Sequence, residues 1–127
     1  MDLLLDRSVL LAVRTPDRCP GVAAALRRHG HRRMFLPAPV LGELLAGRPD
    51  EALWAEQLEL RFPERVLPVD ARVGRTWGAL GAAGRSDPVA GLTAATALVH
   101  GLTVLTGEPE RYAGTGVAVL AAGPAPA

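Results

Sequence analysis

Asp6, Glu43 and Glu108 are the residues of this sequence best placed to do chemistry, because each interrupts or closes an apolar run. Asp6 ends Leu3, Leu4 and Leu5; Glu43 is the only charge between residues 34 and 47; Glu108 follows the run from Leu102 to Thr106. Carboxylates gathered at one place bind hard divalent cations such as Mg2+ or Mn2+, which keep several waters and share the site with phosphate oxygens of a substrate. The chemistry that follows is phosphodiester hydrolysis, in which the metal activates water and neutralises charge on the phosphoryl oxygens. Each acid also has a plainer reading: Asp6 as a helix N-cap, and Glu43 as the solvent-facing residue of an amphipathic helix.

The elements that would position these acids are best marked between Ser86 and Glu108, SDPVAGLTAATALVHGLTVLTGE. Asp87 is an N-cap and Pro88 fits the first helical position, where no N–H is needed. A helix is predicted over Val89 to His100, ended by Gly101, with a buried strand over Leu102 to Thr106. Residues 88–107 carry no formal charge, but Gly101 and the β-branched residues after it break a membrane span into helix and strand. Leu3 to Leu5 reads as an interior parallel strand, and ligands collect beyond the carboxyl ends of such strands. Between these ends the pattern predicts helices over Ser8 to Val13, Pro20 to His29, Pro39 to Ala46 (stopped by Gly47), Asp50 to Phe62 and Ala71 to Ala83. Strands are predicted over Met34 to Leu36, Val66 to Val69 and Val117 to Leu120. Trp54, Leu58 and Phe62, at four-residue spacing, read as a core stripe. The fold class is α/β, a single three-layer domain with a parallel sheet between helices.

One core suffices for 127 residues that are 49% apolar, so one domain is expected over residues 1–122, with residues 123–127 a disordered tail by their Gly, Pro and Ala content. A net charge of +1, from fourteen Arg and no Lys against thirteen acids, gives little long-range attraction to a polyanion. Nucleic-acid contact would have to be local. Arg27, Arg28, His29, His31, Arg32 and Arg33 could hold phosphates, or could complement the dipole at a helix C-terminus. The lone Cys19 and the charged residues among the first leucines point to a reducing cytoplasm, with no signal peptide and no membrane association.

Taken in order, these segments resemble the PIN domain, and within it the VapC-type toxins of toxin–antitoxin pairs. LLLDRSVL at residues 3–10 is similar to the opening strand, with Asp6 as the first metal-binding acid and Ser8 at the small polar position after it. PAPVLGELLAG at 37–47 is similar to the helix carrying the second acid, here Glu43; GLTAATALVHGLTVLTGEPERYAGTGVAVL at 91–120 is similar to the most recognisable segment, with Glu108 as the fourth acid beside Thr106. The resemblance implies a metal-dependent ribonuclease with Mg2+ or Mn2+ held by Asp6, Glu43 and Glu108. It implies an RNA substrate and a cognate antitoxin protein in the groove; Arg7, Arg32 and Arg33 are expected, by their charge, to contact the RNA, and a homodimer is expected. Two departures stand out. Ala90 occupies the position of the third acid, with Asp87 one helical turn upstream as its substitute, and Arg7 replaces the usual Thr after Asp6. The alternative function is a catalytically inactive PIN-derived module that binds an antitoxin or RNA.

Overall fold

The computed structural model describes residues 1–46 and 48–122; the helix stop expected at Gly47 and the tail expected at 123–127 lie outside the described residues. The chain begins with β1 (Leu3–Leu5), α1 (Arg7–Arg14) and α2 (Pro20–Arg28), followed by β2 (Met34–Pro37), α3 (Ala38–Leu45) and α4 (Ala52–Arg61). After β3 (Val66–Leu67) come α5 (Ala71–Ala79), α6 (Ala82–Arg85) and α7 (Pro88–His100), then β4 (Thr103–Thr106), a 3-10 turn (Pro109–Tyr112) and β5 (Val119–Ala121).

All five strands are parallel, in the order β3-β2-β1-β4-β5. The first three strands build the sheet outward on one side of β1, and the last two build it on the other. β1 and β4 therefore flank the point where the strand order reverses, with Leu3, Leu4 and Leu5 beside Thr103, Val104 and Leu105. At such a switch point the loops leaving neighbouring strands diverge to opposite faces and open a crevice at the carboxyl ends. Asp6 and Glu108 leave the sheet there.

Side-chain alternation along β1 separates two cores. Leu3 and Leu5 pack with Val9, Leu10, Val22, Leu36, Val40, Leu44, Trp54 and Leu58, under α1 to α4. Leu4 packs on the other face with Ala90, Ala94, Ala97, Val104 and Tyr112. The expected stripe on α4 is thus core, with Trp54 and Leu58 buried and Phe62 packed against them. On α7 small residues permit close approach: a Cβ at Gly91 would lie 2.2 Å from the Gly84 carbonyl oxygen of α6. Buried Thr93 and Thr96 are satisfied by donating to the Val89 and Leu92 carbonyls one turn back.

Three boundaries differ from the sequence reading. The helix expected over Ala71 to Ala83 is two helices, because Gly81 takes a left-handed φ of 62° between them. The last strand begins at Val119, since Gly114 and Gly116 turn the chain with φ of 79° and 75°. The strand from Val66 is only two residues long, as Pro68 has no N–H to extend its ladder.

Candidate functional site

Asp6 is fully buried, and its carboxylate is satisfied by neutral donors. Oδ1 caps α1, accepting from the backbone N–H of Ser8 at 3.0 Å and of Val9 at 3.4 Å, and from the Ser8 hydroxyl. Oδ2 accepts from the Thr106 hydroxyl and from the Tyr112 hydroxyl at 2.8 Å. The two small hydroxyls also receive the loop after β4: Gly107 N–H donates to Ser8 Oγ and Glu108 N–H to Thr106 Oγ1, both at 2.9 Å. Two parallel relays therefore run from the loop backbone, through a hydroxyl, to one carboxylate. Ser8 and Thr106 thereby fix where Glu108 begins.

Glu43, Asp87 and Glu108 approach from α3, from the cap of α7 and from the loop after β4, and two guanidinium groups lie among them. Arg7 Nη1 is 3.0 Å from Glu43 Oε2 and its Nη2 is 3.3 Å from Glu108 Oε2. Arg111, whose side chain is only 8% exposed, reaches all four acids. Its Nε lies 2.9 Å from Asp87 and 3.7 Å from Glu108, its Nη2 3.3 Å from Glu43, and its Nη1 3.9 Å from Asp6. Asp87 keeps its capping role through the Ala90 N–H at 3.2 Å while it pairs with Arg111.

These contacts set the protonation states. Burial works against the Arg111 charge, but the hydrogen bond to Asp87 and the fields of Asp87 and Glu43 outweigh it and push its pKa up. Reciprocally, the Arg111 hydrogen bond holds Asp87 below the ordinary 3.8, against a smaller desolvation effect. Burial, and then the Asp6 carboxylate, push the Tyr112 phenol well above its ordinary 10.0.

A cavity of about 300 Å3 opens beside the cluster, lined by Arg7, Leu11, Glu43, Leu44, Arg48 and Glu108. The structure thus brings Asp6, Glu43, Asp87, Glu108, Ser8, Thr106 and Arg7 to one sheet edge. Arg32 and Arg33 are elsewhere. Arg33 precedes β2, pairs with Asp2 at 3.1 Å and offers its carbonyl to Leu3, while Arg32 donates to the Met1 carbonyl; both flank the amino ends of the strands, opposite the carboxylates. Arg111 and Tyr112 were not singled out by sequence, their only local signal being a cation three residues after Glu108.

The residues present do not fit the expected Mg2+ or Mn2+. Among the described residues no group of three or more His, Cys, Asp or Glu side chains is arranged to hold a metal ion. Most of the oxygens that would serve as ligands accept from hydroxyls or face guanidinium nitrogens, Glu43 Oε1 being a buried exception that accepts no hydrogen bond, and Ala90, the expected third acid, is a buried methyl in the apolar cluster with Leu4 and Tyr112.

Fold and site together define an α/β protein with a carboxylate cluster at the switch point of a parallel sheet. The chain belongs to the PIN domain family, whose model matches residues 3–112, and its fold is of the VapC and FitB type. It is similar to FitAcB from Neisseria gonorrhoeae, with 25% identity and a TM-score of 0.77 over 94% of this chain and 97% of that one. FitAB bound to a DNA fragment is similar over 94% of each chain, with 24% identity and a TM-score of 0.79. VapBC2 from Rickettsia felis, bound to a DNA fragment from its promoter, shares 15% identity and a TM-score of 0.66 over 95% of this chain and 98% of that one. The last two likenesses concern the fold alone. No curated protein sequence matches the chain. Among the described residues no helix is long and apolar enough to cross a membrane.

Proposed function

We propose that this protein is the PIN-fold partner of a cognate antitoxin and acts as a binding module, without metal-dependent cleavage of RNA. The observation that carries this reading is Arg111, which lies among all four acids with a side chain 8% exposed. The likeness to FitAcB supports the antitoxin, and the cavity lined by Leu11, Leu44 and Arg48 beside the cluster offers it a groove with both apolar and charged walls. A homodimer belongs to the same proposal. Leu53 and Leu60 on α4, 65% and 80% exposed, are apolar surface available for it.

Co-expression with the product of the adjacent reading frame tests the module: a stoichiometric complex is expected, weakened by Leu11→Arg. A second reading, the Mg2+-dependent ribonuclease, is favoured by one atom. Glu43 Oε1 is buried beside the cluster and accepts no hydrogen bond. RNA incubated with the protein and Mg2+ at fixed low salt separates the two, because phosphate contacts weaken steeply with salt. The binding-module reading expects intact RNA; cleavage abolished by Glu108→Gln would establish the ribonuclease instead.

A further inference from the structure

We infer that Arg111 is the resident cation of this site, standing where the family's divalent metal is expected, and that removing its charge uncovers a latent divalent-metal site. The inference rests on the PIN fold and not on the identity of any partner.

Charge and geometry carry it. Asp6, Glu43, Asp87 and Glu108 bring four negative charges to one sheet edge, and such a cluster in a half-buried crevice repels itself unless a cation is present. Arg7 and Arg111 each bring one positive charge, so together they supply the charge of one divalent ion. They are not equivalent. Arg7 is 36% exposed and bridges Glu43 to Glu108 from the solvent side, whereas Arg111 is 8% exposed and is the one cation within 3.9 Å of all four acids among the ion pairs described.

Arg111 is also held by construction. It lies on the 3-10 turn Pro109–Tyr112, whose next residue anchors the turn by donating its hydroxyl to Asp6, and Thr115 closes the turn onto the Tyr112 carbonyl at 2.7 Å. The guanidinium is therefore delivered by a rigid turn, and its planar fork donates to Asp87 and Glu43 at once. Mg2+ and Mn2+ are bound through a few carboxylates and their own waters, so the oxygens Arg111 holds are the ones a hydrated ion would need.

The test compares wild-type protein with Arg111→Met, which keeps an unbranched apolar stem and removes the charge, and with Arg111→Lys, which keeps a cation. Mn2+ alone is the probe, followed by calorimetry and by the paramagnetic resonance of the free ion, with Tm measured across Mn2+ concentrations. Arg111→Met is expected to bind Mn2+ roughly tenfold or more tighter than wild type, an effect of the size seen when a metal site's surroundings change. Its Tm should rise with Mn2+, as mass action requires of a ligand that binds only the folded state. Wild type and Arg111→Lys should show neither effect. If Arg111→Met does not fold in metal-free buffer, folding on addition of Mn2+ is the same positive result. Failure to fold with Mn2+, a folded Arg111→Met with wild-type Mn2+ affinity, or a wild type that already binds as tightly would overturn the inference. None of these outcomes depends on RNA cleavage or antitoxin binding, so that reading and this one fail separately.

Discussion

The carboxylate edge has two halves that solve the same electrostatic problem differently. Around Asp6, a fully buried charge is stabilised by neutral O–H and N–H donors from α1, β4 and the 3-10 turn. Around Glu43, Asp87 and Glu108, charges that retain contact with solvent are stabilised by two guanidiniums. The first half joins the switch-point strands and the loops leaving them. Its partners are short side chains fixed by the backbone, so it is part of the fold. The second half is made of long side chains meeting at a crevice, where the identity of one cation decides what the oxygens can do.

The largest effect should come from breaking the inner half. Asp6→Ala leaves the Ser8, Thr106 and Tyr112 hydroxyls and two N–H groups of α1 without their acceptor, and a loss of about 3–5 kcal/mol is expected, comparable to removing one partner of a buried ion pair. Urea unfolding measures it; a loss below about 1 kcal/mol, the scale of a single ordinary hydrogen bond, would mean that Asp6 is not the anchor.

Next is the alkaline limb of stability. Tyr112 is the only tyrosine and the chain has no lysine. Because the folded-state pKa of Tyr112 lies above the ordinary 10.0, the unfolded chain loses its phenolic proton first. The stabilisation is fully present below pH 10.0 and is lost as pH rises beyond it. Tyr112→Phe should flatten that limb and lower stability at neutral pH by about 1.5–3 kcal/mol, the range for a hydrogen bond to a charged group. An unchanged limb would remove Tyr112 from the inner half.

The smallest effect belongs to the outer half. Arg7→Gln removes two solvent-screened pairs, to Glu43 and Glu108, and should cost about 1 kcal/mol or less. Asp87, with its pKa lowered by Arg111, contributes stability that is present above 3.8 and is lost as pH falls below that value. That acid limb should persist in Arg7→Gln, since Arg111 alone maintains most of it, and should weaken in Arg111→Met.

The inner half was legible where its signals are local, whereas Tyr112, which meets Asp6 across 106 residues, was not. Leu3 to Leu5 before Asp6, Ser8 two residues on, and the Asp87-Pro88 and Gly101 punctuation of α7 mark strand ends and helix ends wherever they fall. Reading β1 and β4 as buried runs that end in a polar residue placed them as neighbouring or near-neighbouring parallel strands, and the structure pairs them directly. The outer half was only partly legible. Arg111 meets Asp87 across 24 residues and Glu43 across 68, and no spacing rule joins residues that far apart. For the same reason Arg32 and Arg33 were grouped with Arg7 by charge, whereas the parallel register of β1 and β2 puts them at the opposite end of the sheet. Gly81 was read through as helix because glycine in a helical pattern gives no sign of whether it takes a left-handed φ.

If Arg111 is the resident cation of the carboxylate edge, a divalent ion does not displace its guanidinium. Nitrogen-15 NMR of the arginine side chains tests it most directly, because an N–H held in a buried ion pair exchanges slowly with solvent and gives its own resonance. One protected Nε–H signal is expected, absent in Arg111→Met and unmoved by millimolar Mg2+. Loss or movement of that signal on adding Mg2+, saturating with metal concentration, would show that the ion takes the place of the guanidinium and that Arg111 is not the resident cation.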